Sequence, residues 1–298
     1  MNLSIATMNS KPSPSNFRFS SLALALLASL APVVSHGQEA ATRPITNQTD
    51  KVVALLKSIE TGATAPVAYI NPQKYTQHNL AVGDGLAGFG AVLQALPKGS
   101  AKVNTVRAFS DGNIVVAHTD YNFFGPKIGF DIFRFENGLI VEHWDNLQDK
   151  PTAPNPSGHT MTDGPTRVED LDKTQANKQL VRSFVDDILV NGKMDKLAGY
   201  FDGDHYVQHN PQIADGLSGL GQALEAMAKQ GVTMKYDKVH QVLGSGNFVL
   251  VASEGTLGGK PTSFYDLFRV SNGKIAEHWD TIESIPAKSE WKNQNGKF

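Results

Sequence analysis

The stretch DIFRFENGLIVEHWD, Asp131 to Asp145, returns 135 residues later as DLFRVSNGKIAEHWD, Asp266 to Asp280. Ten of the fifteen positions are identical, including all of Glu142, His143, Trp144 and Asp145, so one unit is written twice and the chain reads as two domains. Aromatic and branched residues flank Asn137-Gly138, a pair that supplies the positive dihedrals of a type I′ hairpin turn. With that pair at the centre, facing residue numbers sum to 275, so Asp131 faces Trp144 and Phe133 faces Glu142. The preceding run, Asn113 to Asp120, ends near Phe124-Gly125-Pro126; a two-residue turn there makes facing numbers sum to 249 and sets His118 opposite Asp131. Side chains alternate with period two, so His118, Asp131 and Trp144 are expected in one row on one face, with Glu142 beside them and His143 and Asp145 on the other side.

The duplication extends upstream. Tyr75-Thr76-Gln77-His78-Asn79, then Asp84-Gly85-Leu86, returns as Tyr206-Val207-Gln208-His209-Asn210 and Asp215-Gly216-Leu217, with nine of sixteen positions equal between 75–90 and 206–221. Apolar spacing predicts a helix over Lys51 to Ile59 stopped by Gly62, a short one over Leu86 to Leu96, and a clearer one over Lys173 to Val190. Each half reads as helix, loop, helix, antiparallel sheet. Four prolines among Asn, Ser, Gly and Thr make Lys150 to Pro165 an extended, poorly packed linker, and Pro286 to Phe298 reads as a polar tail.

Composition narrows the classes. A net charge of -2 offers no basic surplus for nucleic acid or an anionic membrane surface. With 0 cysteines, neither disulfides nor a thiol nucleophile are available. Lys11 and Arg18 precede the apolar run Leu22 to Val34, and Ser35 and Gly37 suit the minus-three and minus-one positions of a cleavage site. The run is shorter than the roughly 20 residues of a membrane span. The expected divisions are therefore a signal peptide over 1–37, a first domain over 48–150, a linker over 151–165, a second domain over 166–286 and a tail over 287–298, in a periplasmic or secreted protein free of the membrane once cleaved.

Y-x-Q-H-N, D-G-L and D-[IL]-F-R-x-x-N-G-x-I-x-E-H-W-D together resemble the SnoaL-like polyketide cyclase family of the nuclear transport factor 2-like superfamily, over roughly 50–148 and 173–285. The resemblance implies an α+β protein of two tandem cone-shaped domains, each a curved antiparallel sheet wrapped around helices and leaving an apolar pocket. It also implies an aldol closure without metal or organic cofactor, carried by an aspartate and a histidine on neighbouring strands. The matching positions are Asp131 and His118.

The chemistry suits those types. A carboxylate in an apolar pocket becomes a stronger base, and an imidazole beside it can donate to a developing oxyanion. Trp144, Glu142, Phe133 and His78 are the candidate substrate contacts in the first copy, and Asp266, Trp279 and Glu277 in the second, where Ala252 stands in the place of His118. His205 and His209, four apart, lack a third ligand, and no metal is expected. The expected function is an exported, cofactor-independent lyase or isomerase acting on a small hydrophobic carbonyl compound, with the repeats packed as an internal pseudo-dimer and a monomer compatible with that packing. The alternative is an exported binding module that holds a hydrophobic metabolite without turnover.

Overall fold

The computed structural model describes residues 47–298, so the signal peptide expected over 1–37 lies outside the described residues. Helix α1 (Gln48–Thr61) opens at Asn47, whose side chain accepts the Thr49 N–H, and closes at Gly62 with φ 70°, a left-handed cap that glycine adopts without a Cβ clash. Then come β1 (Thr76–Gln77), α2 (Gly85–Ala95), β2 (Lys102–Asp111), β3 (Ile114–Asn122), β4 (Pro126–Glu136) and β5 (Leu139–Asp149). They form a sheet of order β1-β5-β4-β3-β2, antiparallel except for β1, which runs parallel to β5. The second half repeats it: α3 (Thr174–Phe184), β6 (Val207–Gln208), α4 (Gly216–Lys229), β7 (Met234–Ser245), β8 (Phe248–Leu257), β9 (Lys260–Ser271) and β10 (Lys274–Ser284), in the order β6-β10-β9-β8-β7. The helix expected over 173–190 is α-helical only to Phe184 and continues as a π-helical turn, Val185–Val190. No helix among the described residues is long and apolar enough to cross a membrane.

Register decides what the sheet presents. Asn137 (φ 49°) and Gly138 (φ 80°) form the expected turn, and beside it Phe135 faces Ile140, as the sum of 275 requires. A bulge then inserts Val141. Beyond it Asp131 pairs with Asp145, Ile132 with Trp144 and Phe133 with His143. The β3–β4 turn holds three residues, Phe123 to Gly125, so His118 pairs with Phe130 and Ala117 with Asp131. Each one-residue slip exchanges the two faces. The row of His118, Asp131 and Trp144 is therefore corrected: His118, Glu142 and Trp144 share one face, and Asp131, Phe133, His143 and Asp145 share the other.

The two faces have different partners. On the cone side of the first sheet, Val115, Ala117, Tyr121, Phe133 and Phe135 pack on Val52, Leu55 and Leu56 of α1. In the second repeat, Val249, Val251, Phe268 and Val270 do the same on Val181, Phe184 and Ile188. The outer faces meet each other, with Phe109, Val116, Phe130, Ile132 and Trp144 against Leu243, Phe248, Leu250, Tyr265, Leu267 and Trp279. Burial of such side chains is worth roughly 1.5–3 kcal/mol each, so the repeats share one core as an internal pseudo-dimer.

The linker is packed, which corrects the expectation of a poorly packed segment, and the polar tail is anchored as well. In the linker, Asn155 and Met161 are buried, and Asn155 Nδ2 donates to the carbonyls of Gln208 at 2.7 Å and Ile213 at 3.0 Å. Arg107 of β2 donates to the carbonyls of Thr162, Asp163 and Pro165 while lying 4.2 Å over the Trp279 ring. In the tail, Asn293 Nδ2 donates to the carbonyls of Asn79 at 2.8 Å and Val82 at 2.9 Å. The linker thus caps the second repeat and the tail caps the first. Their polar side chains find backbone partners, which is how a polar, proline-rich composition packs without apolar contact.

Candidate functional site

The first cone holds a hydrogen-bonded line of side chains that strand alternation brings together. β1 sends Gln77 to the cone side and β5 sends His143 and Asp145 to the same side, with Asn79 just beyond β1. Gln77 Oε1 accepts the Asn79 N–H at 2.8 Å, and a backbone N–H can only donate, so the amide orientation is fixed. His143 Nδ1, 3.0 Å from that oxygen, must therefore carry a proton and donate it. Its other nitrogen, Nε2, lies 3.1 Å from Asp131 Oδ1, so the imidazole and the carboxyl share one proton. Tyr121 OH donates to Asp131 Oδ2 at 2.7 Å, and Asn79 Nδ2 donates to Asp145 Oδ2 at 2.6 Å. Burial pushes the Asp131 carboxyl up, an effect the His143 hydrogen bond partly offsets. The His143 side chain keeps 10% of its surface in solvent and Asp131 keeps 6%.

The second cone repeats the arrangement. Gln208 Oε1 accepts the backbone N–H groups of His209 and Asn210, both at 2.9 Å, and faces His278 Nδ1 at 2.9 Å. His278 Nε2 lies 3.0 Å from Asp266 Oδ1, Tyr236 OH donates to Asp266 at 3.2 Å, and Asn210 Nδ2 donates to Asp280 at 2.7 Å. Burial lowers His278, but the Asp266 hydrogen bond and the charges of Asp280 and Asp266 outweigh it, so its pKa is raised.

The outward faces carry a different unit. His78 stacks on Trp144 at 4.8 Å, shares a proton with Glu142 at 3.0 Å and donates through Nδ1 to the Gly296 carbonyl of the tail at 2.9 Å. Glu142 also takes Arg134 Nε at 2.6 Å. In the second repeat, His209 stacks on Trp279 at 4.6 Å, meets Glu277 at 2.8 Å and reaches the Thr160 carbonyl of the linker at 2.8 Å, and Arg269 meets Glu277 at 2.6 Å. These residues fasten each repeat to the segment that caps it. Of the residues singled out from sequence, Asp131, Phe133 and Asp266 face the cones, whereas Glu142, Trp144, His78, Glu277 and Trp279 lie outside them. His118 is buried between the repeats, stacked on Phe130 at 4.2 Å, with Nδ1 3.2 Å from Arg107 Nη1. It does not reach Asp131.

The partner of Asp131 is His143, which sequence reasoning assigned to the wrong face. A signal was present: Gln77, Asn79, His143 and Asp145 recur in both copies at positions two apart, as residues sharing a strand face must. The phenols carried none, because Tyr121 comes from β3 whereas Tyr236 comes from β7. Among the described residues, three sets of side chains are close enough together to contact one cation, namely Asp131, His143 and Asp145, their copies Asp266, His278 and Asp280, and His159, Asp163 and His209 at the linker.

Residues 181–278 match the model of the SnoaL-like domain family. No curated protein matches the chain. Among solved structures, a LEH-like epoxide hydrolase of M. tuberculosis is similar at 24% identity, covering 37% of this chain and 85% of its own, with a TM-score of 0.29. A Xanthomonas campestris protein of unknown function with a cystatin-like fold is similar at 20% identity, covering 39% and 97%, with a TM-score of 0.31. An NTF2-like protein of unknown function from Cytophaga hutchinsonii is similar at 16% identity, covering 33% and 88%, with a TM-score of 0.29.

Proposed function

We propose that this chain, whose second repeat is a SnoaL-like domain and whose first repeats its topology, is an isomerase- or cyclase-type enzyme working on a small hydrophobic carbonyl compound. The pair Asp131–His143, with its copy Asp266–His278, moves the proton. The observation that carries this reading is the fixed tautomer: Gln77 holds Nδ1–H in place, so proton exchange is confined to Nε2 and the Asp131 carboxylate. The carboxylate takes a proton from the carbon beside the carbonyl, the electron pair moves to the enolate oxygen, and the pair returns the proton at the new position. Tyr121, hydrogen-bonded to the acid, is the nearby phenol that can donate to the oxyanion. An acid used only to hold a ligand would be tied to backbone donors; both oxygens of Asp131 instead meet titratable side chains.

The test needs no prior substrate. A panel of small apolar ketones deuterated at the α-carbon is incubated with the protein, and loss of deuterium is followed by NMR. Exchange catalysed by wild type is expected to fall at least about 100-fold in the Asp131→Asn, Asp266→Asn double variant. A double variant that exchanges as fast as wild type would sink the reading. Export through the leader in residues 1–37 belongs to the same proposal: a mature start near Gln38 in fractionated cells supports it, and intact Met1 in the cytoplasm overturns it.

A further inference from the structure

We infer that His159 and Asp163 of the linker and His209 of the second repeat form a binding site for a divalent transition-metal ion of the zinc type, which clamps the linker to that repeat. His209 Nδ1 lies 2.7 Å from Asp163 Oδ1, His159 Nδ1 lies 3.6 Å from Asp163 Oδ2, and one ligand atom from each of the three residues lies within 4.8 Å of the others. The ligands of one tetrahedral zinc, at about 2.0–2.1 Å from the ion, stand roughly 3.4 Å apart, so small side-chain shifts bring all three onto one ion. Two imidazoles and a carboxylate are donors that zinc and its divalent neighbours take, whereas calcium and magnesium prefer oxygen alone. The rings are already turned for this. His159 Nε2 faces Asp215 Oδ2 at 3.2 Å and His209 Nε2 faces Glu277 Oε1 at 2.8 Å, so each outer nitrogen has a carboxylate to hold its proton and each Nδ1 is turned to Asp163.

The surroundings of His209 call for a cation at this edge of the ring. Three oxygens press on it, Glu277 Oε1 at Nε2, and Asp163 Oδ1 together with the Thr160 carbonyl, at 2.8 Å, at Nδ1, whereas an imidazole carries two protons at most. Only 1% of the His209 side chain is exposed, so bulk water does not make up the difference. A metal ion on Nδ1 gives the ring and the Asp163 carboxylate a shared partner, and exposure of 32% at His159 and 43% at Asp163 opens the position to solvent. The linker donors are held in place: His159 N–H donates to Asn155 Oδ1 at 2.9 Å, Thr160 N–H donates to Asp163 Oδ1 at 3.1 Å, and Trp279 Nε1 donates to the Asp163 carbonyl at 3.0 Å. Among the described residues the first repeat has no equivalent. There His78 meets two oxygens, those of Glu142 and Gly296, and the tail turn Asn293-Gln294-Asn295-Gly296-Lys297, matching Asn155-Pro156-Ser157-Gly158-His159, puts Lys297 where His159 stands. His205, four residues before His209, is exposed and turns its Nδ1 to the Asp202 carbonyl at 3.2 Å. The ligands that complete His209 come from the linker instead.

This site lies outside both cones and does not rest on the function proposed above. The metal-stripped chain, labelled with ¹⁵N at histidine, is titrated with zinc chloride alone by calorimetry and by NMR. Wild type is expected to bind zinc with the Nδ1 signals of His159 and His209 moving together. His159→Ala and Asp163→Asn should each weaken that binding by at least about 100-fold, the upper end of what loss of an outer-shell partner costs. His205→Ala leaves the affinity and the shifts unchanged. Zinc also slows proteolysis within 152–165 in wild type and in His205→Ala, and does not do so in the two ligand variants. A chain that takes up no zinc overturns the inference, and so does zinc binding that survives both His159→Ala and Asp163→Asn or is weakened equally by His205→Ala. If a ligand variant does not fold, wild type decides: zinc that leaves the Nδ1 signals of His159 and His209 in place overturns it.

Discussion

Replacing His118 by glutamine separates a buried structural imidazole from a working one. His118 is 1% exposed, and the Arg107 guanidinium facing its Nδ1 can only donate, so the ring is the neutral Nε2–H form. Burial, followed by the Arg107 charge, holds its pKa well below the ordinary 6.5. A group depressed in this way contributes stability that is fully present above 6.5 and is lost as pH falls below it, because only the unfolded chain takes up the proton. Between pH 7 and pH 5 the loss amounts to about 2 kcal/mol at 1.36 kcal/mol per unit. Glutamine keeps an acceptor for Arg107 and cannot titrate. Urea unfolding at pH 7 and pH 5 should show wild type losing about 2 kcal/mol more than His118→Gln. Equal losses would mean that His118 protonates in the folded protein, and the buried, neutral placement between the repeats would be refuted.

Three further outcomes follow from the same contacts. Arg107→Met strands three linker carbonyls and removes the cation from Trp279, and should cost about 2–4 kcal/mol in urea unfolding, with faster proteolysis within 152–165; unchanged stability would contradict the latch. Gly164 sits at φ 87°, where an added Cβ would lie 2.5 Å from Glu277 Oε1 and 3.0 Å from the Trp279 ring, so Gly164→Ala should lower stability by about 1–3 kcal/mol. His278 has a raised pKa, so its contribution is complete below pH 6.5 and fades as pH rises through the folded value; the stability advantage of wild type over Asp266→Asn should shrink on that rise, and an advantage that grows would reverse the assignment.

Much of the architecture was legible, because duplication and turn chemistry act locally. Asn137-Gly138 and Asn272-Gly273 force positive φ wherever they stand, and the turns formed where the sequence placed them. Faces were not legible. A single inserted residue, Val141, and a third residue in the Phe123–Gly125 turn each reverse the side on which every later side chain points, and neither leaves a compositional trace. Asp131 faces a cone, but His143, which hydrogen-bonds it, was placed on the other face for that reason alone. The packing of the linker was missed for another reason: Asn155, like Asn293 in the polar tail, reaches backbone carbonyls of the repeat it caps, a pairing set by tertiary structure.

The most direct test of the account is a site-resolved ¹⁵N measurement of the His143 and His278 rings in the folded protein. Both rings should show a protonated, hydrogen-bonded Nδ1 and an Nε2 whose shift reports a proton shared with Asp131 or Asp266, and Asp131→Asn should abolish the sharing in His143 alone. A neutral Nε2–H ring with a bare Nδ1 in either cone would contradict it, since the carboxylate–imidazole pair at the heart of each cone would then not exist as described.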